Sequence, residues 1–256
     1  TMLAGIGPEL ASDLAERAPD LDLLSVQFYA DIENLPLRLE QAGYDGPYIV
    51  TEWGATGHWE VEETPWGAPI ENNSSVKADL YRSRYETAIA SDTTTGLGSY
   101  VFLWGQKQER TPTWYGMFMP TGEETEAVDV MHYLWNGTWP DNRAPRLEGM
   151  TLDGRRATDA VTLDPGQSVP AQVTSTDPDG DALRYEWEVR EEARILSEGG
   201  DDEPEPAVIP GVVAPADAAE VTVTAPTEPG AYRLFVNVYD GQNSAAHANL
   251  PFYVEG

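Results

Sequence analysis

The chain contains no cysteine, which excludes disulfides, thiol nucleophiles and thiolate-bound zinc. Lysine occurs only at Lys77 and Lys107, and 15 basic residues face 44 acidic ones, for a formal net charge of −29. Nucleic-acid binding through phosphate neutralisation needs clustered Lys and Arg and is argued against; neutral or cationic partners are favoured. No apolar run approaches the ~20 residues of a membrane span. No glycine-rich phosphate loop follows a strand-like run, so a nucleotide-binding reading has no support. Of the three histidines, His132 and His247 read as structural and no pair has metal-ligand spacing, so neither a catalytic metal nor a cofactor is expected.

What is present divides into two patterns. Over residues 1–140, short apolar runs alternate with amphipathic ones: strands at 2–6, 23–30, 48–54 and 98–104, helices at 8–18, 35–43 and 75–92, and a last helix ending near 137. This βαβα order predicts an α/β unit with a parallel sheet covered by helices. Four such pairs amount to half of a (β/α)8 TIM barrel, with an open doubly wound sheet as the alternative. At TWPDNRAPRLEG, residues 138–149, Pro, Asn and Gly break the helical text. Residues 141–256 then show alternating segments between Pro, Gly and Asp turns, predicting an all-β immunoglobulin-like sandwich. Within it, the acidic, Pro/Gly-rich run 193–211 predicts an exposed loop. The first residues, TMLAGIG, read as a strand in progress, so the natural chain is expected to extend upstream.

YIVTEWG, residues 48–54, runs an apolar β-branched strand into one carboxylate, Glu52, followed by Trp53 and Gly54. A buried strand ending on an acid where the backbone turns is how a parallel barrel presents a catalytic group at its C-terminal rim. Aromatic residues crowd the adjoining loops: Trp53, His58, Trp59, Trp66, Trp104, Trp114 and Tyr115. Pyranose rings pack their flat C–H faces on such side chains. Glycosidic bond cleavage needs a pair of carboxyl groups, and Glu52 supplies one.

LLSVQFYA, YIVTEWG and GSYVFLWG together resemble the last strands of a retaining glycoside hydrolase barrel, similar to family 2 and its wider clan. The resemblance implies that residues 1–140 form strands five to eight of the catalytic domain. It also implies Glu52 as nucleophile, Trp104 as the platform under the sugar ring, and Tyr29 as a hydrogen-bond donor to the nucleophile. Trp53, His58, Trp59, Gln106, Lys107 and Trp114 become candidate substrate contacts. The family's acid/base glutamate follows strand four, preceded by Asn, and no such pair occurs here. Glu9, Glu33, Glu60, Glu62, Glu63 and Glu109 are the glutamates near the rim, so the acid is expected from a missing N-terminal half of the barrel, without which the chain is inactive.

TSTDPDGDALRYEWEV places Asp177, Asp179 and Asp181 at alternate positions, a weak calcium pattern lacking the glycine of an EF-hand, since Ala182 stands in its place. An Asp-Gly turn is the simpler reading. This segment is similar to PKD- or cadherin-like modules appended to secreted bacterial enzymes, which implies a spacing, stabilising or polysaccharide-binding role and an extracellular or periplasmic location. The sequons at Asn72, Asn73 and Asn136 are assigned no role. The resulting expectation is hydrolysis of a β-linked oligo- or polysaccharide by double displacement. The alternatives are a non-catalytic carbohydrate-binding or scaffolding protein, and a transglycosylase.

Overall fold

The computed structural model describes residues 2–197 and 201–256. They form two compact units, Thr1–Gly57 with Asp79–Trp104, and His58–Ala78 with Gly105–Gly256. The units thus divide the chain elsewhere than at residues 140 and 141.

In the first unit, four strands, β1 (Met2–Ala4), β2 (Leu24–Gln27), β3 (Tyr48–Gly54) and β4 (Gly96–Phe102), pair in parallel in sequential order. Helices α1 (Leu10–Arg17) and α2 (Leu35–Gln41) make the first two crossovers, α2 entered through a 3-10 turn at Ala30–Asn34. Helix α3 (Ser74–Arg84) is shorter than the expected 75–92 because it loosens into a π-helical turn at Tyr85–Ile89. Parallel strands need such helical crossovers, and the helices cover one face of the sheet. That face carries Leu24, Val26, Tyr48, Val50 and Trp53, all buried. Ser25, Gln27, Ile49, Thr51 and Glu52 are only half-buried, so the period-2 alternation gives the sheet one dry and one partly open face.

The second unit is a sandwich of two four-stranded sheets. One holds β5 (Arg146–Leu152), β7 (Ser168–Thr176), β10 (Glu220–Thr224) and β9 (Val213–Ala214); the other holds β6 (Thr162–Leu163), β12 (Ala245–Val254), β11 (Gly230–Tyr239) and β8 (Arg184–Glu191). Inward residues of both sheets, among them Leu147, Val169, Val223, Trp187, Leu234 and Phe252, form one core, as the alternating segments predict. This is the immunoglobulin-like all-β part. Strand β5 begins inside the expected linker 138–149: RLEGMTL contains Gly149 and a bulge after Leu147, so its alternation is broken and reads as a turn.

Segment 58–78 and helix α4 (Glu126–Asn136), which ends on the left-handed Gly137, belong to this second unit. A buried network holds the segment in place. Glu71 accepts hydrogen bonds from Lys77 (2.5 Å), Thr111 (2.6 Å), Thr113 (3.0 Å) and Asn249 (2.5 Å). Burial alone would raise the Glu71 carboxyl, but the Lys77 charge and the hydrogen bonds from Lys77 and Thr111 hold it well below the usual carboxylate range, so the ion pair is charged. His247 beside it is pushed down to about 3 by burial and by Lys77, and is neutral. Ser74 and Ser75 accept the backbone N–H groups of His247 and Leu147. The run 193–211 is not simply an exposed loop: Glu203 is buried and takes the Arg110 backbone N–H and guanidinium, at 2.6 and 3.1 Å, because a buried carboxylate must be paired. Residues 198–200 of that run lie outside the described residues.

Candidate active site

Strands β2 and β3 pair residue for residue as far as Val26 opposite Val50; the register then skips Thr51, so Gln27 faces Glu52. A bulge of this kind bends the strand and re-aims the side chain beyond it. Here it sets Glu52 between two donors from the neighbouring strand. Tyr29 Oη donates to Oε1 at 2.5 Å and Gln27 Nε2 donates to Oε2 at 2.7 Å. Each carboxylate oxygen therefore has one donor and keeps a lone pair for other work. Hydrogen bonds to an ionised acceptor are the stronger kind and fix the plane of the carboxylate.

The backbone around Glu52 is held as firmly. Its carbonyl accepts from Phe28 N–H at 2.9 Å. The buried Arg84 donates to the Gly54 carbonyl at 2.6 Å and to Thr56 Oγ1 at 2.9 Å. Gly54 is required for a reason other than a turn: it lacks a positive φ, and a Cβ there would lie 2.1 Å from the Phe102 carbonyl oxygen of β4. The Tyr29 ring meets Phe102 edge-on at 6.2 Å. Because the sheet is parallel, Tyr29, Glu52 and Trp104 leave its strands at the same end. Trp104 lies two residues beyond Phe102, not at the strand's last position, and is 52% exposed.

Trp53 does not reach the rim. One residue on from Glu52 it points to the opposite face, where it is fully buried against Tyr81 and Tyr85, with ring centroids 5.6 and 6.0 Å away. It is a core residue and cannot touch substrate.

The remaining candidates lie in the second unit. His58 Nε2 is 3.4 Å from Glu109, which also takes Lys107 Nζ at 2.6 Å. Burial alone would raise the Glu109 carboxyl; the hydrogen bonds and charges of His58 and Lys107 outweigh it and hold it low. The His58 backbone N–H donates to Tyr115 Oη at 3.2 Å, and burial pushes that phenol up. Trp59 lies edge-on to His58 at 4.9 Å and is 60% exposed, so His58, Trp59 and Lys107 belong to one cluster. Trp114 supports that cluster from below, 6.1 Å from His58, but is itself buried, which removes it from direct sugar contact. Gln106 donates to the Pro112 carbonyl at 3.0 Å.

Among the other glutamates, Glu9 accepts from Ser12 and Glu33 from Ser83, while Glu109 is committed to His58 and Lys107. In the sandwich, Asp177 Oδ1 receives the N–H groups of Asp179, Gly180 and Asp181, which is the Asp-Gly turn. The carboxylates that converge within 4.8 Å are Asp177, Asp181 and Asp240. Asp179 turns away to accept the Arg143 N–H, so the expected trio is corrected by a residue 59 positions further on, brought in by the β11–β12 turn. Asp240 and Asp181 already take donors from Asn142, Gln242 and Ser244.

Gln27 is the site residue that sequence reasoning passes over. The signal was available: Gln27 and Tyr29 are two apart in one strand-like run and so share a face. The bulge that brings Gln27 opposite Glu52 leaves no such trace.

No protein-family model and no curated protein sequence matches the chain. Among solved structures, it is similar to the PKD1 domain of Vibrio anguillarum Epp, at 18% identity over 45% of this chain and 98% of that one, with a TM-score of 0.27. Others are a structure of carbohydrate-binding modules from the β-sandwich superfamily (18%, 46% and 36%, TM-score 0.27) and the PKD domain of an M14-like peptidase from Thermoplasmatales archaeon SCGC AB-540-F20 (16%, 44% and 94%, TM-score 0.25). At these TM-scores the likeness carries no argument. No helix among the described residues is long and apolar enough to cross a membrane.

Proposed function

We propose that this chain carries the nucleophile half of the site of a secreted retaining β-glycoside hydrolase, with the acid/base carboxyl supplied by strands that close the sheet into a (β/α)8 barrel. The observation that carries the reading is the doubly held Glu52 at a parallel strand's C-terminal end, with Tyr29 on one oxygen and Gln27 on the other. The sequential strand order supports a barrel over a doubly wound sheet, whose order would reverse around a central strand. The half-buried second face of the sheet, and Leu97 and Tyr100 exposed on the edge strand β4, suit a sheet with further strands beside it.

In that mechanism a Glu52 oxygen attacks the anomeric carbon as the bond to the leaving oxygen breaks and the partner acid protonates that oxygen. Water, deprotonated by the same partner, then displaces Glu52 from the glycosyl-enzyme. Tyr29 and Gln27 keep the carboxylate in its attacking plane, and Trp104 offers a face to the sugar. The test uses the full-length protein, incubated with a 2-deoxy-2-fluoro-glycosyl fluoride and digested for peptide mass mapping. Label on the peptide containing Glu52, lost in Glu52→Gln, is the expected result. Turnover that survives Glu52→Gln, or label on another carboxylate, would overturn the assignment.

A further inference from the structure

A cleft of about 550 Å3 in the sandwich unit is lined by β5, β7, the 3-10 turn at Ala157–Asp159 and Ala248, Asn249 and Leu250 of β12. It opens there because β6 covers only Tyr253 and Val254 of that edge of β12. The outward N–H groups further along the edge are used one by one: Ala245 donates to the Glu124 carbonyl, His247 to Ser74 Oγ, and Pro251 has none. Asn249 has the same parity and faces the same way, and no acceptor among the described residues takes its N–H. Its side chain is locked, donating to Glu71 and accepting from Arg233, so the residue is buried and immobile with a backbone donor left over. The Asn249 N–H therefore borders the cleft, where water or a ligand group can accept from it.

The walls fit that reading. Arg156 lines the cleft and is exposed; its backbone N–H donates to Asp159 at 2.7 Å, but its guanidinium forms no ion pair among the described residues, in a chain with nearly three acids for every base. Glu148 lines it too, again without an ion pair among the described residues. Asn73, Gln172 and Thr174 add amide and hydroxyl groups. A donor-only guanidinium, an acceptor-only carboxylate and amphoteric amides suit a ligand whose groups each donate and accept, which describes sugar hydroxyls. The net charge of −29 disfavours a polyanion.

We infer that this cleft is a binding site for a neutral saccharide, separate from Glu52 and independent of whether the chain is a glycosidase. The test is calorimetric titration of the full chain with cellohexaose, xylohexaose, mannohexaose, laminarihexaose and an oligogalacturonate, repeated for Arg156→Ala, Gln172→Ala and, as a control on an exposed residue outside either site, Leu37→Ala. Both Arg156 and Gln172 are exposed, so their variants are expected to melt with the parent. The expected result is binding of at least one neutral hexasaccharide, weakened tenfold or more by Arg156→Ala, weakened several-fold by Gln172→Ala and retained in Leu37→Ala. Binding to none of the four, preference for the oligogalacturonate, or an affinity indifferent to Arg156→Ala and Gln172→Ala would overturn the inference. Loss of Glu52 labelling with this binding intact would sink only the glycosidase reading.

Discussion

Glu52 is defined by its two donors, and the residue just beyond shows how tightly its strand is built. Gly54 approaches the Phe102 carbonyl so closely that a methyl group would have to displace the backbone of β4. Gly54→Ala is therefore expected to cost about 2–4 kcal/mol in urea unfolding, the scale of overpacking at a site that cannot relax. Gly7→Ala, with nothing within 4 Å of the added carbon and no positive φ, serves as the control and should stay within about 0.5 kcal/mol. Equal effects would show that the strand end yields. Sequence patterning singled out Glu52 at the end of a β-branched run, and the family resemblance pointed to Tyr29; the structure brings the two side chains into one hydrogen bond. Patterning misplaced Trp53, although strict alternation with Glu52 already sends that ring to the other face. Trp114 was beyond reach, since its burial depends on packing within an irregular loop.

At the scale of elements, the parallel strands and the sandwich strands were readable from apolar period and turn residues. The exceptions are β5 and the end of α3, where a bulge and a π-helical turn break the period. Helix α4 was readable, but not the consequence of its inward Asp129. Burial raises the Asp129 carboxyl to about 7, with Glu126 and Glu124 adding to the rise; the Ala144 N–H bond and Arg143 oppose it. The folded value lies above the ordinary one of about 3.9. The neutral acid thus adds stability in full below about pH 4, and that contribution is lost as pH rises through 7. Asp129→Asn keeps an acceptor for Ala144 without the charge. It is expected to raise stability by about 1–3 kcal/mol at pH 8, with the gain shrinking towards zero by pH 4. Urea titrations at both pH values check this, and a parent more stable than the variant at pH 8 would contradict it.

For the whole molecule the governing quantity is charge. If all 15 cations paired with one carboxylate each, 44 − 15 = 29 carboxylates would remain. Many of the observed pairs are surface contacts of little energy, such as Arg17 with Asp13 and Arg82 with Glu86. Salt therefore has little attraction to screen away and much repulsion to relieve. The Debye length shrinks from about 30 Å at 0.01 M to about 3 Å at 1 M, which removes repulsion between all but neighbouring acids. The buried pair of Glu71 and Lys77 is shielded from solvent and should be nearly indifferent to the same change. The melting temperature in NaCl at pH 7 is accordingly expected to rise steadily from 0.01 to 1 M, most steeply at the low end where the screening length falls fastest. A melting temperature that is flat or falls over that range would mean that the surface pairs outweigh the excess of acid, and that the charge balance does not limit this fold.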